Sequence, residues 1–158
     1  MLQSLGIEAL VDVRRFPGSR KYPWFNQDAL QKVLEAHAIR YIHMEALGGR
    51  RNVQPGSRNS AWRNGSFRGY ADYMETEAFQ KAAEELEATG RAFRTAYMCS
   101  EAVWWRCHRS MISDYLKARG WTVLHIMGIG KTEEHRYTAP ARVSNGSVCY
   151  WDKDLFNS

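Results

Sequence analysis

The densest group of reactive side chains is Cys99-Ser100-Glu101 followed by Cys107-His108-Arg109. It holds two thiols, a carboxylate, an imidazole and a guanidinium. A helix starting near Cys107 aims free N–H groups and the positive end of its dipole at this cluster. That environment attracts a phosphate or carboxylate and lowers the pKa of a thiol. Arg109 is placed to grip such an anion bidentately. Cysteine is among the most buried residue types, so Cys99 and Cys107 taken singly read as filler. Glu101, His108 and Arg109 taken together read as a pocket. A zinc site favours tight pairs such as C-x2-C. Cys99, Cys107 and His108, even with His125 or Cys149, show no such pair, so neither a metal nor another cofactor is expected. The run also lacks the glycines of a phosphatase loop between Cys and Arg.

Asp12-Val13-Arg14-Arg15, with Ser19 and Arg20, forms a second cluster. Asp12 closes an apolar run, where an unpaired carboxylate is costly. A neighbouring arginine is its natural partner, so a structural ion pair weighs equally against a general base that activates water. Glu101 competes for that role. A third cluster is cationic. Between Leu47 and Tyr70 stand five arginines (Arg50, Arg51, Arg58, Arg63, Arg68) and no acid, with Trp62, Phe67 and Tyr70 among them. Arginine binds phosphate bidentately and aromatic rings offer stacking faces to bases. Tyr70, Tyr73 and Met74 follow at a spacing that usually means one packed helix face.

The elements that position these groups alternate in type. Glu8 to Arg14 reads as a buried strand and Ile39 to Met44 as a second. Between them a helix capped at Asn26 or Asp28 runs to about His37 on Leu30, Val33 and Leu34. Leu47 to Arg68 reads as a long basic loop, and loops of that length are usually functional. Tyr70 to Gly90 reads as one helix, with Glu77, Glu84, Glu85 and Glu87 in solvent. Arg94 to Met98 is a third strand and Cys107 to Arg119 a helix. Trp121 to Ile126 is a fourth strand, and Ser147 to Trp151 a last one. Alternation of this kind predicts an α/β fold: a mostly parallel sheet of four to five strands with helices on both faces. Residues 1–158 make one domain, with 127–158 as an extension that packs back on it. Ligands of such sheets sit beyond the carboxyl ends of the strands, so Asp12 and Glu101 are expected on one rim.

Composition bounds the class. The chain has 158 residues, 44% hydrophobic and 25% charged, a globular balance. No apolar run approaches the ~20 residues of a membrane span. The start shows no basic, apolar and small-residue succession of a secretory signal, and three cysteines without such a signal predict a reduced, cytoplasmic setting. Net charge is +5, which makes a nucleic-acid partner worth weighing.

The segments LVDVRRFPGSRKYPWF, LGGRR, SFRGYADYM and MCSEAVWWRCHRSMI resemble, in order, a widespread bacterial family known by its domain-of-unknown-function number, 488. HIMG and TAPAR continue the likeness. The resemblance implies a small cytosolic α/β protein and raises a pocket role for YADYM. Family members usually begin with an extra strand and a Gly-His-Ser turn. This sequence opens at Leu2–Ile7, which resembles the end of the following helix, so the resemblance implies a shortened start.

Three functions compete. In the first, an enzyme acts on a nucleotide or nucleic-acid base: Arg14, Arg15, Ser19, Arg50, Arg51, Arg68 and Arg109 hold phosphate, Tyr70 and Tyr73 line the pocket with Cys99 and Cys107, and Asp12, Glu101 and His108 catalyse hydrolysis. The second is a non-catalytic nucleic-acid or phospho-ligand binding module using the same arginines. The third is a thiol- or metal-dependent protein built on Cys99, Cys107 and His108.

Overall fold

The run Ala9-Leu10-Val11-Asp12 is buried along its whole length and forms β1, the central strand. A strand buried on both faces needs neighbours on both edges, and it has them. β2 (Arg40–His43) and β3 (Thr95–Met98) flank it in the order β2-β1-β3, all parallel, with Val11 opposite Ile42 and Tyr97. The computed structural model describes residues 1–18, 23–101 and 103–152. Its remaining elements are α1 (Gln27–Ala36), α2 (Gly65–Met74), α3 (Glu77–Ala92), α4 (Arg109–Ala118) and two antiparallel hairpins. β4 (Leu124–Gly128) pairs with β5 (Lys131–Glu134), and β6 (Arg142–Ser144) with β7 (Ser147–Cys149).

Side chains of a strand alternate between its faces, and β1 builds two cores this way. Leu10 packs with Leu34 of α1 and Ile39 on one face. Val11 and Val13 belong to the larger cluster on the other, with Tyr70, Phe79, Met111 and Ile112 from α2, α3 and α4. The fold is therefore α/β with helices on both faces, as the alternation predicts. No helix among the described residues is long and apolar enough to cross a membrane.

Three expectations fail for local reasons. Among the described residues the parallel sheet has three strands, not four or five. The segment expected as its fourth strand starts later, at Leu124, and pairs with β5 instead. The Gly128-Ile129-Gly130 turn, with Gly130 at φ +65°, reverses the chain at once, so β4 finds its partner immediately downstream. The expected helix from Tyr70 to Gly90 is two helices. Asn64 caps α2 early, its side chain accepting from the Ser66 and Phe67 N–H groups. Thr76 caps α3 by accepting from the Phe79 N–H, which breaks the run at residue 75. Glu87 is not in solvent: it is 4% exposed and accepts from Arg119 Nε and Trp121 Nε1, both at 2.9 Å.

The irregular stretch after Leu47 lies directly on α2. A Cβ added at Gly69 would run into the Arg51 carbonyl oxygen. Helix and loop backbones are in contact, and neither is a flexible side chain that could move aside. Gly69→Ala is expected to lower stability by about 1–3 kcal/mol, measured by urea unfolding. A variant as stable as the parent would show that loop and helix do not touch.

Candidate functional site

The carboxyl end of β1 carries the charges, and alternation sorts them. Asp12 and Arg14 share the Leu10 face; Arg15 follows Val11 and Val13 on the other. Asp12 is fully buried and Arg14 is 6% exposed. Arg14 donates from Nε to Oδ1 at 2.9 Å and from NH2 to Oδ2 at 2.7 Å. The Arg14 backbone N–H also reaches Oδ1, and the Tyr41 hydroxyl donates to Oδ2 at 2.5 Å. Burial and the adjacent Asp12 hold the Tyr41 phenol well above its ordinary pKa. Every lone pair facing a donor is taken, so Asp12 has no room to activate water and Arg14 none to hold phosphate. Their role in the structure is a buried ion pair.

Arg15 faces outward into a different setting. With Arg50, Arg51 and Tyr73 it lines a hollow of about 260 Å³. Gly48 allows this, since a Cβ there would meet the Arg15 Cβ at 2.6 Å. Arg15 NH1 donates to the Arg50 carbonyl, Arg51 Nε to the Gly48 carbonyl, and the Arg51 guanidinium lies 3.8 Å from the Tyr73 ring centroid. Arg50 adopts φ 61°. None of the three arginines has a carboxylate partner among the described residues. The one acid in the wall, Asp72, is saturated: Oδ2 accepts the Gln54 N–H, and Oδ1 accepts Ser57 Oγ and Asn59 Nδ2. Arg68 is part of the same scaffold, bonding the Ser57 hydroxyl and carbonyl. Tyr70 is buried and donates to the Leu47 carbonyl; Tyr73 donates to the Ala46 carbonyl.

Behind the hollow stands His108. Its Nε2 is 3.0 Å from the Val13 carbonyl, so the proton sits there and Nδ1 is left as an acceptor, 3.6 Å from Cys107 Sγ. Burial, with help from Arg109 and Arg51, lowers its pKa to about 4. A Cβ at Gly49 would touch Nδ1 at 3.0 Å, so the loop glycine closes over the ring. The sulfurs of Cys99 and Cys107 meet. Cys99 Sγ accepts the Glu101 N–H and Cys107 Sγ the Arg109 N–H, each at 3.4 Å. Arg109 NH2 donates to the Glu101 carbonyl at 2.8 Å.

The expected rim is thus partly assembled. β1 and β3 do run side by side, with Asp12 opposite Met98. Asp12 and Glu101 do not open into one hollow: the first is sealed and the second is exposed on the surface. Arg15, Arg50, Arg51 and Tyr73 come together; Arg14, Arg68 and Tyr70 are engaged elsewhere. Ser19 and Arg20 lie outside the described residues. Sequence reasoning missed Asp114, fully buried on α4. Its only signal was an acid amid Met111, Ile112 and Leu116, on what is otherwise an apolar helix face.

A family model described as Domain of unknown function DUF488 matches residues 1–116. The match ends within α4, ahead of both hairpins. No curated protein and no solved structure matches the chain.

His108 makes stability depend on pH. Its ordinary value is 6.5 and its folded value about 4. Between these the unfolded chain binds a proton that the folded chain refuses. The stabilisation is therefore whole above pH ~6.5 and is lost as pH falls toward 4. From pH 7 to pH 4.5 the unfolding free energy is expected to drop by roughly 2–3 kcal/mol on account of this ring. Denaturant titrations should show a shallower decline for His108→Gln, and an unchanged slope would acquit the residue.

Proposed function

The chain belongs to the DUF488 family, which matches residues 1–116, and on that footing we propose that it is a binding protein for a phosphorylated ligand, a nucleotide or nucleic acid, held by Arg15, Arg50 and Arg51. The carrying observation is that these guanidiniums line one hollow with no carboxylate partner among the described residues. Cations gathered this way repel one another, and an anion relieves the repulsion. Phosphate matches the planar, multi-donor geometry of arginine better than any other common anion. Tyr73 and the exposed Phe16, which lies 5.5 Å from Arg15 and 5.9 Å from Arg50, add ring faces for a base. The hollow also sits past the carboxyl ends of the parallel strands, where ligands of such sheets bind.

Binding is favoured over hydrolysis because the two carboxylates a hydrolase would need are not in the hollow. Asp12 is locked to Arg14 and Tyr41, and Glu101 stands apart. His108, neutral and covered by Gly49, supports the floor of the site.

Calorimetry with a nucleoside monophosphate, and fluorescence anisotropy with short single- and double-stranded oligonucleotides, test this reading. Arg51→Gln and Arg15→Gln should each weaken binding about tenfold or more, the worth of a charge-assisted hydrogen bond. Three phosphate contacts on duplex DNA imply a fall of roughly 40-fold between about 50 and about 200 mM salt. A free nucleotide carries no condensed counterions and should lose far less. Wild-type protein that binds none of these ligands, or variants that bind as well as it does, would refute the proposal.

A further inference from the structure

Asp114 anchors a hydrogen-bonded chain that the arginine hollow does not use. Oδ1 accepts the Thr138 N–H at 3.0 Å and lies 2.8 Å from His135 Nε2; Oδ2 accepts the Thr138 and Tyr150 hydroxyls. A carboxylate accepts and cannot donate. His135 therefore donates from Nε2 and is left with a lone pair on Nδ1. That nitrogen is 2.7 Å from His125 Nε2, so His125 donates in turn and its Nδ1 becomes the acceptor. One carboxylate sets the tautomers of two rings. Trp104 lies flat on His125, with centroids 4.1 Å apart and planes 4° from parallel, and fixes how the ring points.

His125 lines a cavity of about 760 Å³ on the outer side of β3. Leu10, Ala96, Met98, Leu116 and Val123 give it apolar walls. Arg109 lines it as well, and its buried Nε donates to nothing. No carboxylate among the described residues pairs with Arg109, and burial lowers its pKa. A guanidinium with no carboxylate partner in the wall of a largely apolar cavity is a charge that a bound anion would balance. Burial, with His135 and Arg109 adding to it, lowers His125 to about 4, so the ring is neutral at pH 7 and presents a lone pair.

We propose that this cavity binds a small amphiphilic hydroxy acid: its carboxylate on Arg109, its hydroxyl donating to His125 Nδ1, and its hydrocarbon body against the apolar walls. Asp114 and His135 are positioning residues that act through His125. The site is separate from the arginine hollow and stands whether or not that hollow binds phosphate.

The test is calorimetry on the full chain at pH 7 with octanoate, its 3-hydroxy derivative and octanol. The hydroxy acid should bind more tightly than octanoate. Arg109→Gln should cost both acids about tenfold and leave the alcohol unchanged. His125→Phe should abolish the preference for the hydroxy acid. Since that variant could unfold, nitrogen-15 spectra of the wild-type histidines give a second measure. They should show His125 protonated at Nε2 and bare at Nδ1, with the Nδ1 signal moving on addition of the hydroxy acid and not of octanoate. The proposal falls if none of the three compounds saturates, if Arg109→Gln binds the acids normally, or if Nδ1 carries the proton.

Discussion

The buried pair of Asp12 and Arg14 is the constraint on which the molecule turns. A carboxylate with no exposure at the end of the central strand would be prohibitive alone. Arg14 and Tyr41 neutralise it from the same face of β1 and from its neighbour β2. Because side chains alternate, fixing Asp12 and Arg14 on the Leu10 face sends Val13 and Arg15 to the other. The pair thus decides which arginine is sealed inside and which lines the hollow. The Val13 carbonyl in turn fixes the tautomer of His108.

Around the outward arginine the chain uses small residues and saturated polar groups to keep cations close. Gly48 and Gly49 bring loop backbone onto Arg15 and His108, and Gly69 brings α2 onto the loop. Asp72 could have cancelled the local charge but is turned to the Gln54, Ser57 and Asn59 donors. Its satisfied oxygens shape the loop and leave the guanidiniums uncompensated.

Much of this was legible in the sequence. An apolar run ending in charge reads as a buried strand, and β1, β2 and β3, with α1 and α4, stand within a few residues of where periodicity puts them. The acid-free stretch from Leu47 to Tyr70 marked the hollow, although two of its five arginines, Arg58 and Arg68, serve the scaffold through Glu75 and Ser57. What could not be read depends on partners distant in sequence. Asp12 looks the same as a base or as an ion pair until Tyr41 is seen beside it. Glu87 sits in a run of solvated acids, and only Arg119 and Trp121 show that it is inside. The Trp121–Ile126 run has the composition of a sheet strand, but a glycine turn gives it a nearer partner. Asp114 acquires meaning only from His135, Thr138 and Tyr150, each more than twenty positions away.

Tyr150 has a consequence for the order in which the molecule is made. Its hydroxyl reaches Asp114 on α4 while its carbonyl accepts the Ala61 N–H from the basic loop. A polypeptide emerging from its amino end presents the loop long before it presents this tyrosine. The central strands and α4 can assemble in the meantime, but the loop lacks that anchor until the final hairpin has appeared. The basic loop therefore takes its final hold only after residues far downstream of it have been made, so its ordering follows that of α4 and the strands.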